Sequence, residues 1–489
     1  MKKTPRVGGI PAGPTAYNVQ LSATKTPGFT HVEGLKQESA EIVSDLLMLN
    51  NAKYHTLFNE VGLHNHMVHH LLSLWALGAS PSQIKSAYDL NKKYQLPQYH
   101  HSASLSLKLK DPEFFQQCLY KPEFYSNYLE YFQEEIAERG TEDVVREYVF
   151  AGDARADDLL GRMYSVGFEH PILHLGFALE FAQPCLVAES LAAASIHDDW
   201  PIPIITPIES HLKSNPNTPH SSMFKVIRAL HSDPIISSAV KPSDPANRVT
   251  DGLMKRAAKE LVPILARWRV DPTTQDIAVK TAEMAHMSVY MAACAQNPKK
   301  VPAIDFFMMH SVNLSVFYPT FMRLEWLSLE ERARLLTWKG WMDAVLYAAC
   351  GCPALYLERV QGYKAKRPGD WSSIITRAVT YPDDGHTSKL IRALLNAQNL
   401  SLPYFSPRRP EFPLMKEDFL KIAHMTMDSV ERMNDPGYRI PEEQQKMYVE
   451  KLGMDEEVVK VVVRWVRWCG VEGAWDNIED LEEGERAKL

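Results

Sequence analysis

Cysteine is sparse in this 489-residue sequence. There are six, Cys118, Cys185, Cys294, Cys350, Cys352 and Cys469, and no CxxC among them. The spacing of Cys350-Gly-Cys352 is too tight for a zinc knuckle, and no second pair answers it. Thiols this dispersed point to a reducing compartment rather than a disulfide framework. A basic excess is also missing: Lys and Arg total 53 against 60 Asp and Glu, a net charge of −7. Nucleic-acid binders usually show a basic face, so the balance argues against that class and suits a small-molecule substrate. No run of 18 apolar residues occurs, so no membrane span is expected. The start, MKKTPRVGGIPAGPTAYNVQ, carries two lysines but no apolar core of a secretory signal. The expected address is the cytosol.

The common cofactor and nucleophile motifs are absent as well. No GxGxxG follows a strand, which removes a Rossmann site for FAD or NADPH. No GxxxxGK[ST], GxSxG or HExxH is present, so a P-loop, an α/β-hydrolase elbow and a zincin are all unsupported. Alternating strand patterns bounded by Asn-Gly or Asp-Gly turns are lacking too.

What remains is helical periodicity. Ile42, Val43, Leu46 and Leu47 mark a helix over 38–51, and another spans 62–77 and stops at Gly78. Ser80-Pro81-Ser82-Gln83 reads as a capping box with proline at the first helical position. Further helices are expected at 121–139, 141–151, 155–165, 171–196, 252–268, 273–296, 303–318, 329–350, 385–398, 416–433, 441–452 and 455–469. The stretch 200–250, rich in Pro, Ser and Asn, reads as a long loop or lid. Residues 362–384 and 399–415 read as further loops. The expected architecture is all-α: an arm over 1–35, one large helical domain over 36–475 around a buried histidine-rich site, and an acidic tail over 476–489.

Eighteen histidines stand out, several in compact groups. Imidazole is the commonest side-chain metal ligand because its neutral nitrogen offers a lone pair near physiological pH. In GLHNHMVHH (62–70), a helical wheel places His66 and His70 beside the apolar stripe, His64 on the other flank and His69 toward solvent. In GFEHPILHLGFALEF (167–181), His170 and His174 are four apart, but Pro171 makes His170 a cap residue. Glu180 and Gln183 follow as possible supports for the ligands. In AIDFFMMHSVNLSVFYP (303–319), His310 and Asn313 sit in a helix apolar almost all round, and a buried imidazole needs a partner. In YPDDGHTSKLIRALL (381–395), His386 lies at the edge of the stripe, whereas Lys389 lies nearly opposite, next to Arg392, as a solvated lysine would. Each pattern alone is equally open to histidines that are merely structural.

As a set, HNHMVHHLLSLWALGASPSQI, GFEHPILHLGFALEF, IDFFMMHSV and DDGHTSKLIRAL resemble the questin oxidase-like family of fungal polyketide pathways, in the family's order. The resemblance implies a helical non-haem iron oxygenase that opens an anthraquinone-type ring with O₂, formally like a Baeyer–Villiger insertion. It implies Fe(II) held by His66, His174, His310, His386 and Lys389, with His170 and His70 in reserve. Lys389 would be carbamylated, giving the one hard anionic oxygen that the histidines lack. Lys389 and His386 count among the catalytic residues as well as the ligands, and proton transfer would fall to Tyr99, His100 or His101 in LPQYHHS, or to Tyr318. NADPH enters only as an external reductant.

Three rivals stay open. His197-Asp198-Asp199 supplies the dipeptide of an HD-type phosphohydrolase. Glu283-Met-Ala-His286 is one of the two ExxH motifs a di-iron bundle needs. A helical scaffold without chemistry is the third.

Overall fold

The computed structural model describes residues 13–59, 62–165, 169–406, 409–432, 442–451, 456, 459–460 and 465–481. Among them there is no strand, only isolated bridges such as Leu57–His64 and Asp305–Val466, so the all-α expectation holds. No helix there is long and apolar enough to cross a membrane. The chain forms two compact units, Met1–Asp198 and Asp199–Leu489.

In the first unit, helix Gln37–Lys53 packs on Met67–Ala76 and Pro81–Asn91. The capping box is present: Ser80 Oγ accepts from the Gln83 amide, and Gln83 Oε1 accepts from the Ser80 amide at 2.8 Å. The expected helix 171–196 is two helices, His170–Glu180 and Pro184–Ser195, which pack on each other. Ala182 at φ 52° turns the chain, and Pro184 cannot continue the first helix because it lacks an amide hydrogen. The described part of the arm, from residue 13, is tied down here. Glu180 Oε1 accepts from the amides of Phe29 (2.6 Å) and Thr30 (3.2 Å), and Gln183 exchanges bonds with the Gln20 backbone. Glu180 and Gln183 therefore hold the arm. Gly28 (φ 83°) passes so close that a Cβ would lie 2.7 Å from the Phe181 ring, which leaves room only for glycine.

The second unit is built on five helices: Thr274–Cys294, Phe306–Ser315, Leu329–Ala349, His386–Ser401 and Lys416–Glu431. Each fully buried large aliphatic or aromatic side chain of this core contributes roughly 1.5–3 kcal/mol. Lys339 and Asp343, both buried on Leu329–Ala349, form an ion pair, and Lys339 Nζ also donates to the Ser311 carbonyl of the neighbouring helix at 3.1 Å.

The lid expected over 200–250 is instead largely helical: Ile202–Ser214, Met223–Ser232 and Pro234–Ser237. Pro207 lies inside the first of these, where the burial of Ile204, Ile205 and Ile208 offsets the lost backbone bond. Ser222 and Asp233 are side-chain caps, so the polar residues that read as loop start helices. Trp371–Thr380, capped by Asp370, likewise interrupts the loop expected at 362–384. Residues 399–415 begin with the end of helix His386–Ser401 and are otherwise irregular apart from the turn Leu402–Tyr404, with 407–408 outside the described residues. Residues 442–451 are helical; of the expected helix 455–469, residues 456 and 459–460 are helical but 465–469 are not, being held in a bridge and bends, and the remainder lies outside the described residues, as does the tail beyond 481.

Candidate metal centre

Helix Phe306–Ser315 is started by Asp305, whose Oδ1 accepts from the amides of Phe307 and Met308. One turn in, His310 is fully buried. Its Nδ1 lies 2.6 Å from the Phe306 carbonyl, which can only accept, so Nδ1 carries the proton and Nε2 presents a lone pair. His386 opens helix His386–Ser401 after Gly385, whose φ of 96° suits glycine. Asp383 holds the entry, accepting from the amides of Gly385 and Thr387. Asp384 Oδ1 lies 2.7 Å from His386 Nδ1, which places that proton on Nδ1 as well. The two Nε2 atoms then face each other at 3.3 Å with both lone pairs aimed inward.

Two neutral imidazoles in that arrangement repel unless a cation lies between them. Nitrogens bound about 2.1 Å from one ion at angles of 90–110° stand roughly 3.0–3.4 Å apart, so this pair fits a shared metal.

One turn on, Lys389 is also buried, at 3% exposure. Its Nζ has no hydrogen-bond partner among the described residues. Burial pushes its ammonium down to about 8, although Asp384 and Asp383 pull it back up. The solvated position that its helix pattern suggests is thus wrong; Arg392 on the same helix is buried too, its guanidinium 5.9 Å above the Phe317 ring.

The first unit holds a second buried group. Residues 62–66 are not helical, and His66 is the cap residue of Met67–Ala76. His66 Nε2 faces His170 Nε2 at 2.7 Å, with the rings 15° from parallel. His170 is the first residue of its helix, and Glu169 (φ 65°) takes the cap position expected for it. His174, one turn further, points to Glu189 Oε2 at 3.1 Å, so it is His170 that the structure brings to His66. His69 is 1% exposed and stacks on Phe177, which corrects its assignment to the surface. His70 is buried as well.

Sequence reasoning passed over His64 and His197. Their Nε2 atoms are 2.7 Å apart, and the His64 ring stacks on His170. His197 Nδ1 lies 2.5 Å from the Ala193 carbonyl, and burial pushes its pKa down to about 4. It is neutral and accepts from His64. The HD dipeptide drew attention to position 197 for another reason, and nothing in the sequence spacing pairs it with His64. Asp384 was missed too, though a carboxylate two residues before a candidate ligand is a readable sign of an orienting group.

Other candidates are placed elsewhere. Tyr99, His100 and His101 are exposed, and His101 Nε2 lies 3.6 Å from Glu130. Tyr318 is buried with its hydroxyl 3.4 Å from the Leu335 carbonyl. In the ExxH motif, His286 Nε2 accepts the Leu414 amide and Nδ1 bonds Ser401 Oγ, which occupies both nitrogens and removes it as a di-iron ligand.

Comparison with known proteins places this geometry. The model of the questin oxidase-like family matches residues 63–394, a span that contains all six facing histidines and Lys389. Oxidoreductase AflY of Aspergillus parasiticus is 48% identical over 485 residues, 99% of this chain and 97% of its own length. Baeyer–Villiger oxidase AgnL3 of Paecilomyces divaricatus is 30% identical, covering 94% of this chain and 95% of that protein. Questin oxidase of Aspergillus terreus is 32% identical, covering 85% and 93% respectively. A full-length match at this identity, with the buried histidines inside the matched span, makes the chain a member of the questin oxidase-like family and an oxidoreductase.

Proposed function

We propose that this enzyme is a non-haem iron oxygenase that cleaves a carbon–carbon bond in a ring of an anthraquinone-type polyketide with O₂, with a Baeyer–Villiger-like outcome. The observation that carries the reading is the His310–His386 pair, two Nε2 lone pairs held face to face by fixed Nδ1 protons. The names of the relatives, questin oxidase and Baeyer–Villiger oxidase, supply the reaction class.

His310, His386 and Lys389 would hold iron in the second unit, and the facing pair His66 and His170 is the ligand candidate within the first. His174, which the family likeness nominates, is paired with Glu189 instead. Bound Fe(II) would supply the electrons that let triplet O₂ react with a closed-shell aromatic ring. Asp384 accepts a hydrogen bond from His386 Nδ1–H and makes its Nε2 a stronger electron-pair donor. Lys389, buried and without a hydrogen-bond partner among the described residues, is suited to carbamylation: the Nζ lone pair attacks CO₂, a C–N bond forms and a proton leaves to water. The product is an anionic oxygen ligand among neutral imidazoles. NADPH would serve only as an external reductant.

The first experiment is elemental mass spectrometry on untagged protein purified without added metal, then single turnover with a hydroxylated anthraquinone under ¹⁸O₂. Bound iron and labelled, ring-opened product support the reading. Protein that takes up no metal after anaerobic Fe(II) reconstitution refutes it. A single iron per chain matches the family likeness; two would mean that each histidine pair holds its own ion.

A further inference from the structure

The segment 465–481 lies outside the span matched by the family model, yet it is built into the entry of helix Phe306–Ser315. The Phe306 amide donates to the Val466 carbonyl at 2.7 Å, and the Val466 amide donates to the Ile304 carbonyl at 3.1 Å. Asp305 joins the two sides. Its Oδ1 caps the helix and accepts from Cys350 Sγ, while its Oδ2 accepts from the Cys469 amide at 2.9 Å. Three side chains of the segment then reach the aromatic wall. Trp468 lies on Phe307 at 3.8 Å between ring centroids, the Arg467 guanidinium sits 4.7 Å above Phe306, and Trp465 meets the His386 ring edge-on at 6.5 Å. Phe306 itself touches both His310 (4.7 Å) and His386 (5.3 Å), and its carbonyl is the acceptor that fixes the His310 proton. At its far end the segment is pinned by Val301 to Glu479 and by Leu481 to Lys299, backbone to backbone.

We propose that segment 465–481 is a strap that sets the orientation and tautomer of His310, with Asp305 and Arg467 as positioning residues. The chain of cause runs from the Cys469 amide and the Arg467 cation, through Asp305 and Phe306, to the His310 ring. Without the strap the Phe306 backbone loses its Val466 partner, and the carbonyl that holds the Nδ1 proton is free to tilt. The consequence for metal binding rests on the iron reading above; the consequence for the tautomer does not.

Asp305→Asn separates the roles. The asparagine oxygen still caps the helix, as asparagine does well, but its NH₂ faces the Cys469 amide, donor against donor, and the tether is lost. Arg467→Ala removes the cation over Phe306 without touching the cap. The test uses the full chain, metal-free and ¹⁵N-histidine-labelled, with the His310 signals assigned by their loss in His310→Gln. The wild type is expected to show His310 as a single Nδ1–H tautomer. Both variants should show averaged ring-nitrogen shifts with helix content retained, and Co(II) affinity lower by about tenfold or more, with a changed visible spectrum for the bound ion. A single Nδ1–H tautomer in both variants overturns the strap. A wild type that binds no Co(II) sinks the metal reading alone, because the tautomer measurement still decides the strap.

Discussion

His310 and His386 meet Nε2 to Nε2 at 3.3 Å although each already donates its Nδ1–H to an acceptor, one a backbone carbonyl and the other a carboxylate. Neither ring can donate to the other while both are neutral. The arrangement is costly without a positive charge between the rings and favourable with one. Addition of Fe(II) or Co(II) should therefore raise the melting temperature of the metal-free protein. A ligand at one hundred times its dissociation constant stabilises by about 2.7 kcal/mol. His310→Gln should abolish that shift and leave the metal-free protein at least as stable as the wild type. Thermal unfolding with and without metal checks both statements.

Replacing Lys389 should act on activity more than on folding. Lys389→Met fills the same buried space without a cation, so the melting temperature should hold or rise. Turnover should fall by several orders of magnitude and recover in part with added acetate or propionate, which can supply the missing oxygen ligand. In the wild type, activity should drop after exhaustive removal of CO₂ and return with bicarbonate. Full turnover by Lys389→Met would refute the assignment.

Two buried histidines away from the facing pairs should make the fold acid-sensitive. Burial holds His55 down to about 4 and His286 down to about 3. Each accepts a backbone amide on one ring nitrogen, His55 from Leu57 and His286 from Leu414. Because the folded-state values lie below the unfolded value of about 6.5, the unfolded chain binds these protons first. Their stabilisation is complete above about pH 6.5 and is lost as the pH falls toward the folded values, by at most ~1.4 kcal/mol per pH unit for each group. Denaturant unfolding across that window should show the decline, and His55→Gln with His286→Gln should flatten it.

The Lys339–Asp343 pair should matter through its loss and not its presence. Burial pushes Asp343 up even with Lys339 beside it. Lys339→Met leaves a carboxylate buried without its cation, at a cost of about 3–5 kcal/mol. The double replacement Lys339→Met with Asp343→Leu should recover most of that. Urea denaturation of the two variants side by side is sufficient to tell.

Much of this was readable from the residues. The helical class followed from periodicity, and the Ser80 capping box from four letters of sequence. The burial of His310 followed from a helix apolar on nearly every face. What could not be read is what lies across from a polar face. Lys389 and Arg392 look solvated because one helix considered alone has an inside and an outside; His386–Ser401 is buried nearly all round by Phe306–Ser315, Thr274–Cys294 and Lys416–Glu431. His69 was sent to the surface for the same reason, and Phe177 covers it. The stretch 200–250 read as a loop because proline and serine are breakers inside a helix and starters at its first turn, and periodicity does not say which. The resemblance repaired the Lys389 reading because it carried information about the covering layer that the helix pattern does not contain.

The acceptor that orients His310 is a peptide carbonyl, and the one that orients His386 is a side chain. A carbonyl is written into every residue, so no codon change removes it, whereas one base substitution turns Asp384 into Asn. The His386 half of this pair is therefore open to direct change, and the His310 half only at one remove. Descendants of this enzyme that need a weaker or stronger donor at His386 can find one at position 384, whereas a change at His310 must come through what holds the Phe306 backbone.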